Sequence, residues 1–302
     1  MGLKRAADRV RRRPLPASVV LFLVCAAWGL VWPLAAQPTT LPGRAGSLRF
    51  AVIGDSGSGA REQYEVGARM ADARGRFAFD LVIMLGDNLY NGDARRDYED
   101  DFELPYKLLL DGGVKFYAAL GNHDPRTERF YHRFNMSGRT YYSFTASAQS
   151  VRFFALESDY MNRPQLQWLE QELKTSTEAW KIVFMHHPLY SSGKTHGSEV
   201  QLRKAIEPLF LQHGVSAVFA GHEHVYERIK PQNGIAYFTS GGAGKLRKGD
   251  IRKDSPLTAA GFDTDNHFML VEIDGDEMFF EAIARTGKTV DSGVVARRAT
   301  SQ

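Results

Sequence analysis

The sequence predicts an α/β protein in which strands and helices alternate along the chain. Three observations support this prediction: short apolar runs recur from Leu48 onward, five of the six runs end at Asp, Asn or His, and amphipathic segments separate the runs. Runs that are apolar on both faces are typical of central strands covered by helices. The predicted strands of this part are 48–55, 80–87, 115–122, 151–158, 181–187 and 216–224.

Helices are predicted in the segments between these runs, where apolar residues recur at helical spacing. These segments are 63–74, 98–110, 165–173 and 199–212. In the last third of the chain, the segments 235–244, 267–274 and 277–284 all have the pattern of strands. Gly275-Asp276 between the last two predicts a hairpin. We expect residues 286–302, a C-terminal tail, to be frayed.

The first 36 residues have the layout of an export signal. Six Lys and Arg side chains precede an uncharged apolar stretch from Val19 to Trp32, and Leu34-Ala35-Ala36 follows. A retained membrane anchor is the alternative, because the stretch is near the lower end of a spanning length of roughly 17–25 residues. We therefore predict an exported protein, periplasmic or extracellular, which would be membrane-anchored through residues 14–32 if the segment is retained. Residues 37–46 are predicted as a linker and 47–285 as the catalytic domain.

Charge and cysteine content narrow the possible functions. The chain carries a formal charge of +3, which becomes −2 once the net +5 of residues 1–36 is removed. No basic footprint for nucleic acid remains in the predicted catalytic domain. The single cysteine, Cys25, lies in the apolar stretch. Beyond residue 36 there is consequently neither a disulfide nor a thiol nucleophile.

Five short motifs with metal-binding residue types follow predicted strands: GDSG at 54–57, GDNLY at 86–90, GNHD at 121–124, VFMH at 183–186 and GHEH at 221–224. Their oxygen and nitrogen donors suit iron, zinc or manganese. The candidate ligands are Asp55, Asp87, Tyr90, Asn122, His186, His222 and His224. A single Gly-Asp after a strand is usually a turn or a helix cap. The ordered set predicts a dinuclear centre, because such polar groups are costly at apolar strand ends unless something pairs with them.

The order and content of these motifs resemble the calcineurin-like metallophosphoesterases, and the Tyr of GDNLY makes the chain similar to the purple acid phosphatases. The resemblance covers about 48–284 and implies a four-layer α/β/β/α sandwich of two mixed sheets flanked by helices. It also implies two metal sites that share a bridging Asp87. The ligands would be Asp55, Asp87, Tyr90 and His224 for Fe(III), and Asp87, Asn122, His186 and His222 for a divalent Fe, Zn or Mn.

The resemblance also suggests roles for residues that do not bind metal. His123 matches a family histidine that contacts the substrate phosphate and protonates the leaving oxygen, and Asp124 is predicted to orient it. His196 matches a second histidine near the substrate, although a surface loop histidine is the alternative. His187, which follows His186, is predicted to support the ligands from behind. The segment 239–247 is predicted to follow a strand near the metal site.

The function that these residues predict is hydrolysis of phosphate monoesters by direct attack of a metal-bound hydroxide at acid pH. No Ser or Cys nucleophile occurs in any motif. The expected partner is a small phosphorylated substrate. One alternative is a phosphodiesterase or nucleotide-cleaving enzyme with the same centre, since the loops at 91–97, 125–131, 190–198 and 245–261 would select the substrate. Another is a non-hydrolytic metal-redox or binding protein, against which His123 argues.

Overall fold

The computed structural model describes residues 40–146 and 148–299. The predicted export signal or anchor at 1–36, with the membrane contact expected through 14–32, lies outside these residues. No helix in the described part of the chain is both long and apolar enough to cross a membrane.

Strands and helices alternate as predicted through the first two thirds of the described chain. The strands are β1 (Leu48–Ile53), β2 (Leu81–Met84), β3 (Lys115–Ala118), β4 (Tyr142–Thr145), β5 (Val151–Ala155), β6 (Trp180–Met185), β7 (Ala217–Ala220), β8 (Tyr226–Ile229), β9 (Ala236–Ser240), β10 (Thr258–Phe262), β11 (His267–Asp274), β12 (Glu277–Ala284) and β13 (Thr289–Ala296). The helices are α1 (Arg61–Arg74), α2 (Arg95–Tyr98), α3 (Lys107–Asp111), α4 (Arg163–Thr175) and α5 (Val200–His213).

The strands form two mixed sheets, as predicted. The first has the order β13-β12-β11-β1-β2-β3, and the second has the order β10-β8-β9-β7-β6-β5-β4. In the first sheet β1, β2 and β3 are parallel, and β11 pairs antiparallel with β1. In the second sheet β5, β6, β7 and β9 are parallel. The carboxyl ends of the parallel strands carry the predicted motifs.

The two sheets pack face to face over an aromatic core. Phe50 of the first sheet contacts Phe153 and Phe219 of the second, with ring centroids 5.2 and 6.2 Å apart in edge-to-face geometry. Edge-to-face pairs of this kind add to the stabilisation that burial of the rings provides. This core fixes the distance between the sheets and so positions the strand ends.

Helices cover the outer faces of both sheets. Leu169 of α4 and Phe210 of α5 lie with Val183 and Val218 in an apolar cluster on the outer side of the second sheet. Helix α1 contacts strand β11 of the first sheet and helix α3. The four layers are therefore helix, sheet, sheet, helix. Asn162 caps α4 by accepting a hydrogen bond from the Gln165 N–H, and Pro164 occupies its first turn, where the missing N–H carries no cost.

The predicted helix over 98–110 is interrupted in the structure. Helix α2 ends at Tyr98, a π-helical turn spans Glu99–Glu103, and α3 begins at Lys107. Pro105 lies in the gap. A proline has no N–H and its ring clashes with the preceding turn, which disfavours a continuous helix there.

The prediction that 286–302 is frayed is wrong for Thr289–Ala296, because these residues form β13, which pairs antiparallel with β12. Asp291 of β13 accepts hydrogen bonds from Arg228 Nε at 2.7 Å and from the Tyr226 hydroxyl at 2.6 Å. The segment alternates between half-buried and exposed residues, as edge strands do, and therefore lacks the continuous apolar run of the central strands.

The described part of the predicted linker is also attached to the sheet. The N–H groups of Thr40 and Gly43 donate hydrogen bonds to the carboxylates of Glu281 and Glu272 at 2.9 and 2.7 Å. Leu41 is buried. Residues 40–46 are thus an ordered edge of the domain.

Candidate metal centre

The predicted ligands lie where the two sheets meet. Asp55, Asp87 and Asn122 follow β1, β2 and β3 of the first sheet. His186 follows β6 of the second sheet, and the two histidines of GHEH, His222 and His224, follow β7. Because the carboxyl ends of both sets of parallel strands face the same region, residues up to 169 positions apart become neighbours.

Three of these residues have unusual backbone conformations. Asp55, Asp87 and His222 have φ angles of 52°, 52° and 68°. Non-glycine residues rarely adopt positive φ, and such conformations are concentrated at functional sites. The glycines of the motifs permit the close approach, because a Cβ at Gly121 would collide with Asp87 Oδ1. The turns are therefore built to direct these side chains to one point.

The first donor group contains Asp55, Asp87 and His224, with one donor atom of each within 4.8 Å of the others. The Tyr90 hydroxyl lies at its centre. It is 2.8 Å from Asp87 Oδ2 and 3.3 Å from both Asp55 Oδ1 and His224 Nε2. The structure therefore assembles all four residues predicted for the ferric site.

The second donor group contains His186 and His222, together with His187, again within 4.8 Å. His186 Nε2 lies 2.9 Å from Asn122 Oδ1, 3.1 Å from His222 Nδ1 and 3.5 Å from Asp87 Oδ1. Asp87 thus faces this group with Oδ1 and the first group with Oδ2. A carboxylate in this position can bridge two cations.

The donor atoms of the second group are arranged to bind a cation. The Leu85 carbonyl lies 2.9 Å from His186 Nδ1 and can only accept a hydrogen bond, so Nδ1 carries the proton. The Nε2 of the neutral ring then presents a lone pair to the oxygens of Asn122 and Asp87, which are also acceptors. Three lone pairs that converge at these distances repel each other unless a cation lies between them. Imidazole, amide and carboxylate donors suit the metals predicted from the sequence.

Burial keeps the imidazoles in the form that binds metals. Desolvation lowers the pKa of His186 far below its usual value, and it lowers the pKa of His222 to about 2 with a further contribution from the surrounding histidines. The pKa of His224 is lowered to about 4 by burial and by Arg247. In contrast, desolvation and the charge of Asp87 raise the pKa of Asp55. Neutral imidazoles keep a lone pair for a cation.

His123 and His196 lie on two sides of these donors. The His123 ring is 4.9 Å from the Tyr90 ring and its side chain is exposed, and its main-chain N–H donates to Asp87 Oδ1 at 3.0 Å. The His196 ring is 4.1 Å from that of His222. Both predicted histidines are therefore next to the donor groups. His196 lies on a loop with its side chain exposed, so its role at the substrate stays a prediction.

Asp124 has a different set of contacts from the one predicted. Its carboxylate accepts hydrogen bonds from the N–H groups of Gly121 and Asn88 at 2.8 and 2.7 Å, and from the Asn88 side chain. No described contact joins it to the His123 ring. Asp124 holds the GDNLY and GNHD turns together, which places Asp87 and Asn122 relative to each other.

His187 lies against the second donor group. Its Nδ1 is 2.9 Å from the Ser158 hydroxyl, and its ring centroid is 4.4 Å from that of His222. Asp159 lies 3.7 Å from its Nε2. These contacts fix the ring beside the second donor group, and the supporting role of His187 stays a prediction.

Three residues near the donors were not predicted from the sequence. Glu223, between the two histidines of GHEH, accepts a hydrogen bond from the His196 N–H at 3.0 Å. Lys245 Nζ lies 4.5 Å from the centre of the Tyr90 ring, and the Arg247 N–H donates to the His224 carbonyl at 3.0 Å. For Lys245 and Arg247, the sequence signal was a pair of basic residues within 239–247. This segment was predicted to follow a strand near the metal site, and it continues from β9.

Comparison with known sequences identifies related proteins. The sequence profile described as calcineurin-like phosphoesterase matches residues 48–226. Tartrate-resistant acid phosphatase type 5 of Homo sapiens is 25% identical over 310 residues, which cover 87% of this chain and 95% of the relative. Purple acid phosphatase 17 of Arabidopsis thaliana is 27% identical over 248 residues, which cover 70% of this chain and 72% of the relative.

Solved structures share the fold. GAP50, described as the anchor in the inner membrane complex of Plasmodium, superposes with a TM-score of 0.71 at 19% identity, covering 84% of this chain and 90% of that one. The purple acid phosphatase PPD1 from yellow lupin seeds superposes with a TM-score of 0.68 at 20% identity, covering 85% of this chain and 55% of that one. At this identity, the similarity establishes the architecture.

Proposed function

The chain belongs to the calcineurin-like phosphoesterase family, and from this we propose that it is a phosphatase of the purple acid type. In this proposal it is exported, binds Fe(III) and a divalent Fe, Zn or Mn, and hydrolyses phosphate monoesters at acid pH. The observation that carries the proposal is the position of Asp87, whose two oxygens face two separate donor groups. The names of the relatives support the reaction class.

The metal ions would supply the nucleophile and part of the charge stabilisation. When bound, such ions would supply a water of lowered pKa and positive charge opposite the phosphoryl oxygens. Asp55, Tyr90 and His224 would hold one ion, and Asn122, His186 and His222 the other, with Asp87 between them. The trivalent ion is the reason to expect activity at mildly acid pH.

The side chains of the protein would position the substrate and move protons. His123 is exposed beside Tyr90, where it can donate a proton to the oxygen of the leaving group. His196, beside His222, can donate a hydrogen bond to a phosphoryl oxygen. Export of the protein would depend on residues 1–36.

Paired assays on the purified protein test the proposal. We expect two metal ions per chain, hydrolysis of p-nitrophenyl phosphate faster than of bis(p-nitrophenyl) phosphate, and loss of both metals and activity on chelation. The Asp87→Asn variant should lose both metal sites. Faster cleavage of the diester would identify a phosphodiesterase, and full metal content without hydrolysis of either compound would contradict a hydrolytic function.

A further inference from the structure

A cavity of about 790 Å³ is formed by three separate segments of the chain. Its walls are Arg126 and Arg129 from the turn after the GNHD motif, residues 138–141 ahead of β4, and Trp168 of α4. All lining residues belong to the described part of the chain, and none of them is a proposed metal ligand. Cavities of this size commonly hold small molecules in proteins.

Hydrogen bonds fix the backbone around the cavity. The N–H of Gly138 donates to the Arg129 carbonyl at 2.9 Å, and the N–H of Arg139 donates to the Met136 carbonyl at 3.0 Å. Gly138 has a φ angle of 76°, which glycine adopts without steric cost. Arg129 and Arg139 therefore lie on neighbouring stretches of chain that are bonded to each other, and both line the same cavity.

The cavity carries more positive charge than the protein neutralises. Arg126 Nη2 is paired with Glu157 Oε2 at 2.9 Å. The Arg129 guanidinium lies 4.3 Å from the centre of the Phe130 ring, and its Nη1 donates to the Arg126 carbonyl at 2.6 Å. Within residues 40–146 and 148–299, no carboxylate lies at ion-pair distance from Arg129 or Arg139. Three guanidinium groups are thus matched by one carboxylate, which favours binding of an anion.

Two aromatic rings form another part of the wall. The ring centroids of Tyr141 and Trp168 are 5.0 Å apart, and both side chains are half-buried. Trp168 packs against the apolar cluster on the outer side of the second sheet, which holds its ring in place. Neither the Tyr141 hydroxyl nor the Trp168 Nε1–H has a hydrogen-bond partner among the described residues. The wall therefore offers ring faces and polar donors together.

We propose that this cavity is a binding site for an aromatic anion, which is a flat ring that carries a phosphate, sulfonate or carboxylate group. The ring would stack on Trp168, and the anionic group would accept hydrogen bonds from Arg129 and Arg139. A nucleotide and an aryl acid share this chemistry. The site goes beyond the proposed function, because binding here involves no metal ion and breaks no bond.

The combination of these features in one concave space carries the inference. Scattered surface arginines bind anions weakly, because water and salt screen their charges. A cavity wall with aromatic rings removes part of this water and adds contact area for a flat ligand. Arg139 is exposed at the cavity and has no other partner in the described structure, so a ligand would not need to displace one.

Calorimetry with 2-naphthalenesulfonate tests the site, because this probe has a flat ring and an anionic group but no ester bond. We expect one probe to bind per chain, and each of Arg129→Gln, Arg139→Gln and Trp168→Leu to weaken binding by about tenfold. Trp168→Phe keeps a ring and should lose less. Cyclohexanesulfonate has no aromatic ring and 2-naphthol has no charge, so each should bind about tenfold more weakly. Equal affinity of either compound would overturn the assignment to an aromatic anion.

Arg76→Gln is the matched control, because Arg76 is exposed and lies outside the cavity. It should keep the affinity of the unmodified protein for 2-naphthalenesulfonate. Equal losses in Arg76→Gln and Arg139→Gln would indicate a general effect of net charge and overturn the site. Unchanged affinity in Arg129→Gln, Arg139→Gln and Trp168→Leu would place the probe elsewhere and overturn it as well.

Asp87→Asn separates this site from the metal centre. The variant should lose both metal sites but bind 2-naphthalenesulfonate with unchanged affinity, and a loss of binding would place the probe at the metal centre and overturn the proposal. In the same variant, displacement of the probe by adenosine monophosphate would identify a nucleotide site, and displacement by 2-naphthoate alone would identify an aryl-acid site. Displacement by neither compound would contradict the proposal.

Turnover is measured separately with p-nitrophenyl phosphate on the unmodified protein. A protein that hydrolyses this ester but does not bind 2-naphthalenesulfonate would be a phosphatase without the cavity site. A protein that binds the probe in the cavity but hydrolyses no phosphate ester would retain the site, and the proposed function would fail.

Discussion

The carboxylate of Glu223 accepts a hydrogen bond from the main-chain N–H of His196 at 3.0 Å. It also accepts one from the N–H of Gly197. Glu223 is fully buried and lies between the two proposed ligands of the GHEH motif. The loop that carries His196 is therefore attached to the same turn that carries the metal ligands, and the position of the His196 ring depends on this attachment.

Replacement of Glu223 by Ala should release this loop and impair catalysis through His196. We expect kcat/KM for a monoester to fall by about 10- to 100-fold, the range typical of residues that hold a functional group in place. The double variant Glu223→Ala/His196→Ala should be no worse than His196→Ala alone. Metal content measured in parallel should be unchanged. Additive losses would show that Glu223 acts independently of His196.

His123→Ala should impair a substrate with a poor leaving group far more than one with a good leaving group. The physical reason is that only a poor leaving group needs a proton as its bond to phosphorus breaks. We expect a loss in rate of about 10²–10⁴-fold for an alkyl phosphate and a smaller loss for p-nitrophenyl phosphate. Equal losses with the two substrates would remove His123 as the proton donor.

We expect the metal-loaded protein to be coloured and Tyr90→Phe to remove the colour. In the unmodified protein, a phenolate bound to Fe(III) would absorb in the visible range, and the Tyr90 hydroxyl is the only phenol oxygen within the first donor group of the described structure. The visible spectrum of the protein purified in air, before and after the substitution, is the measurement. A colourless unmodified protein with two bound metals would indicate a centre of divalent ions only.

His267 should make the fold less stable as the pH falls. Burial lowers the pKa of its ring to about 4 in the folded protein, whereas the unfolded value is about 6.5. The unfolded state therefore binds the proton first, so the free energy of unfolding decreases as the pH drops from about 6.5 toward 4. Once the pH is below both pKa values, this loss in the free energy of unfolding amounts to about 3 kcal/mol.

His267→Leu should weaken this pH dependence, as measured by denaturant unfolding at several pH values. His132→Leu is the control, because His132 is exposed and its substitution should leave the pH dependence intact. An identical pH dependence in the unmodified protein and His267→Leu would contradict the role of this ring.

Asp291→Ala tests whether β13 contributes to stability. The Asp291 side chain is 10% exposed and accepts hydrogen bonds from Arg228 Nε and Nη2 and from the Tyr226 hydroxyl. Its removal leaves these donors without a partner, so we expect a loss of about 1–3 kcal/mol in the free energy of unfolding. The exposed pair of Arg297 with Asp276, which is 76% exposed, is the control. Asp276→Ala should cost less than about 1 kcal/mol.

Sequence patterns identified the central strands because these strands are buried on both faces. β2, β6 and β7 are buried at every position, which requires continuous apolar runs. The edge strand β10 and β13 are half-exposed and carry a weaker pattern. Neither β10 and β13 nor the short strands β4 and β8 were predicted from the sequence. Their formation depends on a partner strand from another part of the chain, which short-range periodicity does not reveal.

The donor types, and their positions directly after strands, can be read from the sequence alone. The tertiary structure decided which donors share a site, because the packing of two sheets brings Asp55 and Asp87 from one next to His186 and His222 from the other. It also decided that Asp124 supports the turns instead of His123, and that Lys245 lies over Tyr90. The physical reason is that propensity and periodicity act between near neighbours in the chain, whereas these contacts depend on how buried apolar faces pack over long sequence separations.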